Sequence, residues 1–262
     1  MKVCVLASGS KGNCIYVERE NCALLVDLGI SYSRLLSSLA EIGGSVEKIK
    51  GVLVTHEHFD HIKGLSVFAK KNPDVPVISH QKTLRAVDEK MHTNFSPFAR
   101  GDFESGFSLC GINVQPFRTS HDAVCPVGYT LESDSKKVAG VTDLGLVTPS
   151  VRQNVLGCSL AVLEFNHDHE MLFGGDYPQS LKVRIGGRYG HLSNELAADF
   201  AVDLIKEGAR NIILAHLSEE NNLPSLAKNT LLNKISRCGL CCDGLEIETA
   251  MQKCHTVVYE VK

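Results

Sequence analysis

The chain has 262 residues, a net charge of −3, 44% hydrophobic and 22% charged residues. This balance excludes an intrinsically disordered chain. Apolar runs of about five residues, such as Val3–Ala7, exclude a bilayer-spanning helix, which needs about 20.

The elements follow in chain order. Apolar, β-branched stretches predict strands at Lys2–Leu6, Cys14–Val17 and Cys22–Val26. The short apolar start, broken at Ser8, is too brief for a secretory signal and points to a cytoplasmic protein. Helical spacing of Leu35, Leu36, Leu39 and Ile42 predicts a helix over Ser33–Ile42. Gly51–Thr55 reads as a buried strand, Ile62–Lys71 as a helix, Val77–Ser79 as a strand and Gln81–Met91 as a helix. Extended segments follow at Phe107–Cys110, Ile112–Phe117, Gly128–Leu131, Lys137–Val141 and Leu160–Phe165. Helices are predicted at Pro178–Ile185, Asn194–Glu207 and Pro224–Cys238, around a strand at Asn211–Ala215. Leu245–Thr249 and Thr256–Val261 close the chain as strands. The pattern predicts two mixed sheets packed together with helices outside, as one domain over residues 1–262.

There are 10 cysteines. Without a secretory signal they are expected to be reduced, and Cys4, Cys14, Cys22, Cys110, Cys125 and Cys158 to be packed. Cys238, Cys241 and Cys242 form a C-x-x-C whose further zinc ligands could come only from Cys254 and His255. That stretch is read as a packed loop.

The sharpest signal is Thr55-His56-Glu57-His58-Phe59-Asp60-His61, directly after an apolar strand. His56 and His58 alternate in an extended segment and can point to one side. Asp60 and His61 lie at the turn into a helix and can serve a neighbouring position. Nitrogen and oxygen donors at this density suit divalent transition metals. Four further candidates each follow a strand: Asp27, His121, Asp143 and His216. Strand ends are where mixed α/β sheets build sites.

This H-x-H-x-D-H motif, followed in order by His121, Asp143 and His216, resembles the metallo-β-lactamase superfamily over essentially the whole chain. The resemblance implies a four-layer αββα sandwich of mixed α/β class. It implies two divalent ions (Zn2+, Mn2+ or Fe2+): His56, His58 and His121 on one, Asp60, His61 and His216 on the other, Asp143 bridging. Asp27 would orient the cluster from behind. The motif ends in His61, and no cysteine holds a ligand position, which argues against an antibiotic hydrolase.

Gly190-His191-Leu192-Ser193 resembles the H-x-[ST] element of the phosphodiesterase branch, in which the histidine donates a proton to the leaving group or binds phosphate. It opens an amphipathic helix whose N-terminus favours an anion, so Ser193 and Asn194 are candidate phosphate contacts. Lys182, Arg184 and Arg188 precede it, and Arg184 is a candidate substrate contact. Ser8-Gly9-Ser10-Lys11-Gly12-Asn13 offers Ser8, Ser10 and Asn13 to a phosphate. Together with Glu164-Phe165-Asn166-His167-Asp168 and His216–Asn222, these motifs resemble the YycJ/WalJ-type subgroup, whose members are cytoplasmic phosphodiesterases with suggested DNA exonuclease activity. His167 is placed beside the cleft as a further catalytic candidate. Only 72 residues separate Asp143 from His216, too few for a β-CASP insertion.

The implied activity is hydrolysis of phosphodiester bonds in DNA, at single strands or ends. A metal-bridging hydroxide would attack phosphorus, Asp60 and Asp143 would hold the ions, and His191 would protonate the leaving oxygen. Two divalent ions with so few charged ligands leave a positive centre that favours an anionic substrate. The rival readings are a small-molecule phosphodiesterase, a thioester hydrolase and a non-catalytic metal-binding regulator. The H-x-S element argues against the thioester, and the filled ligand positions argue against the regulator.

Overall fold

The computed structural model describes residues 1–95 and 103–261. Its first sheet contains β1 (Lys2–Ala7), β2 (Cys14–Arg19), β3 (Cys22–Val26), β4 (Ile49–Leu53) and β5 (Val77–Ile78). The second contains β6 (Phe107–Leu109), β7 (Ile112–Arg118), β8 (Val127–Ser133), β9 (Lys136–Val141), β10 (Leu160–Glu164), β11 (Asn211–Ala215) and β12 (Glu246–Thr249). The last strand, β13 (Tyr259–Glu260), returns to the first sheet and pairs antiparallel with β1. The orders are β13-β1-β2-β3-β4-β5 and β12-β11-β10-β9-β8-β7-β6. Each sheet is mixed: β3, β4 and β5 run parallel, as do β9 to β12, while the remaining pairs are antiparallel.

The side chains of β1 explain why the sequence there is an unbroken apolar run. Val3 and Val5 enter the core between the sheets, whereas Cys4 and Leu6 enter the core under the first helical layer. A strand covered on both faces has no solvent face to mark with polar residues. β10 behaves likewise: Leu160 and Val162 face the other sheet, Ala161 and Leu163 the second helical layer. Each fully buried leucine or valine contributes about 1.5–3 kcal/mol. The result is the expected αββα layering.

The first helical layer holds α1 (Tyr32–Glu41), α2 (Phe59–Ile62), α3 (Leu65–Lys71) and α4 (Gln81–Met91). The sequence predicts one helix over Ile62–Lys71, but the structure starts helix earlier and breaks it. Gly64 N donates to Leu28 O at 2.8 Å, and a Cβ at Gly64 would lie 2.2 Å from Ile30 O. The break is thus where the chain packs backbone to backbone against the loop after β3. The remaining helices are α5 (Pro149–Val155), α6 (His169–Gly174), α7 (Gln179–Ile185), α8 (Asn194–Lys206) and α9 (Pro224–Arg237), of which α5, α8 and α9 pack on the outer face of the second sheet. Neither α5 nor α6 is anticipated, although each starts at a side-chain cap: Thr148 Oγ1 accepts from Val151 N, and Asp168 Oδ1 accepts from Met171 N.

Cys4, Cys14, Cys125 and Cys158 are buried, and Cys22 and Cys110 half-buried. Cys238, Cys241, Cys242 and Cys254 are exposed, so the C-x-x-C loop is a surface feature and not a packed one. Among the described residues, no group of side chains arranged to hold a metal includes a cysteine. No described helix is long and apolar enough to cross a membrane.

Candidate metal centre

The candidate residues converge at one edge of the sandwich because each follows the carboxyl end of a strand. Asp27 follows β3, residues 55–61 follow β4, His121 follows β7, Asp143 follows β9 and His216 follows β11. Three of them leave their strand with left-handed backbone: Asp27 at φ 60°, Asp143 at φ 59° and His216 at φ 55°. Aspartate and histidine tolerate this region better than most residues. The sharp turn aims the side chain back over the strand end, strain of a kind that collects at functional sites.

Two donor sets result. The ligand atoms of His56, His58 and His121 lie within 4.8 Å of one another, as do those of Asp60, His61 and His216. Asp143 reaches both sides: it groups with His56 and His61, and its Oδ1 is 3.6 Å from His121 Nε2. Four of these five imidazoles are anchored through one nitrogen, leaving the other for the centre. His61 Nδ1 meets Asp27 Oδ2 at 2.7 Å, and His121 Nδ1 donates to Gly190 O at 3.0 Å. His216 Nδ1 meets Glu164 Oε1 at 2.9 Å, and His56 Nδ1 meets Thr55 Oγ1 at 3.0 Å. Thr55 is itself held by Asp27, which accepts from both its N–H and its hydroxyl. Such partners choose the tautomer and the ring orientation of metal-binding histidines.

Divalent metal fits this donor set. His56 Nε2 and Asp143 Oδ2 are buried without a hydrogen-bond partner. Such orphans are costly unless something charged satisfies them. Burial alone would lower the His61 and His216 pKa values, but neighbouring carboxylates, Asp143 first in both cases, hold them well above the ordinary value. Burial would raise Asp143 and Asp60, yet the surrounding histidines keep both carboxyls well below the usual range. His56, buried and beside other rings, is pushed down and neutral.

Glu164 has a role at the centre that its sequence motif does not reveal. It closes β10 on the same face as Leu160 and Val162, so it points into the sandwich beneath the metal edge. It is completely buried. Its Oε1 meets both His191 Nδ1 and His216 Nδ1 at 2.9 Å, and the backbone N–H groups of Asp143, Leu144 and Leu192 donate to the same carboxylate. Burial opposes ionisation, but His191 and His216 outweigh it and hold the carboxyl at about 2. An acidic residue ending the fully apolar run Leu160–Leu163 is the signal that could have marked it.

His191 therefore presents its Nε2 outward with Nδ1 pinned. Its ring centroid lies 5.0 Å from that of His121 and 5.2 Å from that of His216. The other predicted contacts divide. Asn13 sits at the centre: its Nδ2 is 3.1 Å from both Asp60 Oδ2 and His61 Nε2. Ser10 is exposed. Ser8 is buried, and its Oγ accepts from His216 N at 2.7 Å. Ser193 Oγ caps α8 by accepting from Leu196 N. Asn194 is fully buried, its amide paired reciprocally with that of Asn222 at 2.9 Å, so Ser8 and Asn194 have internal partners in place of a phosphate. Arg184 Nε pairs with Asp122 Oδ2 at 2.6 Å. Lys182 is not a surface cation, because its amine donates to the Phe173 and Gly175 carbonyls. His167 is buried, with its Nδ1 unpartnered and its pKa lowered to about 4 by burial.

Residues 24–217 match the β-lactamase superfamily domain. The chain belongs to the metallo-β-lactamase superfamily. It is, as such, a metal-dependent hydrolase. Exodeoxyribonuclease YycJ of Bacillus anthracis is 38% identical to this superfamily member over 239 residues, 90% of this chain and 89% of that protein. Exodeoxyribonuclease WalJ of Streptococcus pneumoniae is 36% identical over 242 residues, 91% and 90% of the two chains. Among solved structures, the metallo-β-lactamase fold protein YhfI of Bacillus subtilis superposes with a TM-score of 0.72, covering 97% of this chain and 98% of its own at 16% identity. At that identity the likeness speaks for the fold alone.

Proposed function

We propose that the protein is a metal-dependent nuclease that hydrolyses phosphodiester bonds of DNA, acting on single strands or ends. The observation that carries the reading is the pair of donor sets meeting at Asp143 with His191 beside them. The two exodeoxyribonuclease relatives, which match nearly the full chain, support DNA as substrate. In this reading His56, His58 and His121 hold one divalent ion, Asp60, His61 and His216 hold the other, and Asp143 serves both. A bound pair would supply the positive charge that ionises a water and neutralises phosphoryl oxygens.

The chain's own residues do the rest. Asp27, Thr55 and Glu164 fix the ring orientations, so the donors need little rearrangement. His191, with Nδ1 hydrogen-bonded to Glu164, can carry a proton on Nε2 to the departing oxygen, and the ionised Glu164 stabilises the charged ring that precedes transfer. His167, held neutral, suits a hydrogen bond to substrate better than proton donation. Zinc, manganese and iron all suit the nitrogen and oxygen donors.

The test uses protein loaded with manganese or with zinc and 5′-labelled single-stranded DNA, resolved over time on a sequencing gel. Release of mononucleotides or short fragments is expected, with the Asp143→Ala variant inactive and depleted in bound metal. His191→Ala should keep its metal content and lose about 10²–10⁴ in rate. Absence of cleavage with either metal would overturn the reading.

A further inference from the structure

Four large apolar side chains are more than half exposed around this edge of the fold or near it: Phe59 at 63%, Tyr189 at 59%, Val183 at 57% and Val124 at 55%. Singly, exposed apolar residues need no explanation. The position of the two aromatic ones does. Phe59 directly follows His58, and Tyr189 directly precedes Gly190-His191. Both neighbours meet the same imidazole: His58 Nδ1 is 3.3 Å from His121 Nε2, and Gly190 O accepts from His121 Nδ1 at 3.0 Å. The two exposed rings therefore spring from backbone on opposite sides of His121. Val124 joins them through its N–H, which donates to Glu57 Oε1 at 2.9 Å, two residues before Phe59.

The backbone beneath Tyr189 is firmly held. Ser120 Oγ donates to Arg188 O at 2.7 Å, and a Cβ at Gly145 would lie within 2.6 Å of the Arg188 carbonyl, so the two segments touch directly. A ring on so rigid a base, left facing solvent, is available to stack. The Arg188 guanidinium lies 5.9 Å from the centre of the Tyr189 ring. Arg184 is neutralised by Asp122, whereas Arg188 has no ion pair among the described residues. The rim thus pairs two exposed aromatic side chains with an arginine that has no ion pair among the described residues.

We propose that Phe59 and Tyr189 form a stacking platform for the bases of a single-stranded DNA end, with Arg188 contacting the adjoining phosphate. The proposal rests on the DNA-hydrolase reading above and deepens it. Every nucleobase has a π face, so such a platform holds any sequence, and the arginine follows the backbone. Inside a duplex the bases stack on one another and hide their faces, so the platform favours single strands and frayed ends.

The experiment uses a phosphorothioate-linked single-stranded oligonucleotide carrying 2-aminopurine at one end base, made in both polarities, with metal-loaded protein. For one polarity the fluorescence should be quenched on binding. Phe59→Ala and Tyr189→Ala should abolish the quench and weaken binding about five- to 150-fold each, while Tyr189→Trp retains both. An abasic nucleotide at that end should weaken wild-type binding to the level of the alanine variants. Unchanged quenching in both alanine variants, or equal weakening with normal and abasic strands, would overturn the platform and leave the rings as scaffold or as a protein-contact surface. Hydrolysis of bis(p-nitrophenyl) phosphate by the wild type, measured in parallel, reports the metal centre alone. Its absence indicts the hydrolase reading, while its presence without quenching indicts only the platform. Thermal melting of each variant separates misfolding from loss of stacking.

Discussion

Replacing Glu164 by glutamine changes one atom and should disable the centre from beneath. The carboxylate is fully buried and takes two imidazole and three backbone donors. Its pKa of about 2, against an ordinary 4.5, corresponds to about 3 kcal/mol of preference for the ionised form in the fold. Glutamine loses that preference. Its NH2 group would also face the Leu144 and Leu192 N–H donors that Oε2 now satisfies. The metal-free protein should therefore lose about 3 kcal/mol at pH 7.5, read from urea denaturation after chelation. Because the folded pKa is depressed, this contribution is full above pH 4.5 and fades as pH falls toward 2. The difference between wild type and variant should shrink over that window. On bis(p-nitrophenyl) phosphate the metal-loaded variant should lose about 10²–10⁴ in kcat, since His191 no longer has a negative partner. A stability loss under about 1 kcal/mol at pH 7.5, or one that persists undiminished at pH 3, would refute the reasoning.

Two further outcomes follow from the same geometry. His61 and His216 carry protons in the metal-free cluster, so loading at neutral pH must expel them, and metal affinity should fall as pH is lowered. Calorimetric titration with zinc in two buffers of different ionisation enthalpy should show net proton release, and none would contradict the assignment. Gly29→Ala would place a Cβ 1.6 Å from the Asp60 carbonyl, where the loop after β3 touches the metal motif. It should cost more than about 3 kcal/mol and displace Asp60, giving a lower melting temperature and reduced metal content. A variant that melts and binds metal like the wild type would show that the close approach is dispensable.

The H-x-H-x-D-H spacing was legible because its donors sit within six residues, and metal chemistry restricts which side chains can be donors. The strand-end aspartates and histidines were legible for a similar reason: a polar residue closing an apolar run is conspicuous. Helices α5 and α6 carry little apolar periodicity, although each opens at a side-chain cap. The helix predicted over Ile62–Lys71 is present from Leu65 to Lys71, and its break at Gly64 is imposed by the loop after β3, which is distant in sequence.

The sequence by itself determined the chemistry of the centre, its two groups of nitrogen and oxygen donors, and the layered fold, since ligand type and apolar patterning are local properties. Only the tertiary structure decided which candidates are free to act. Ser8 and Asn194 are candidate phosphate contacts by sequence but spend their polar atoms inside the fold, because buried donors and acceptors must find partners there. Glu164 looked like the end of a strand and proved to join His191, His216 and the Asp143 backbone. That junction brings together residues from separate parts of the chain, and its meaning arises only when the two sheets close.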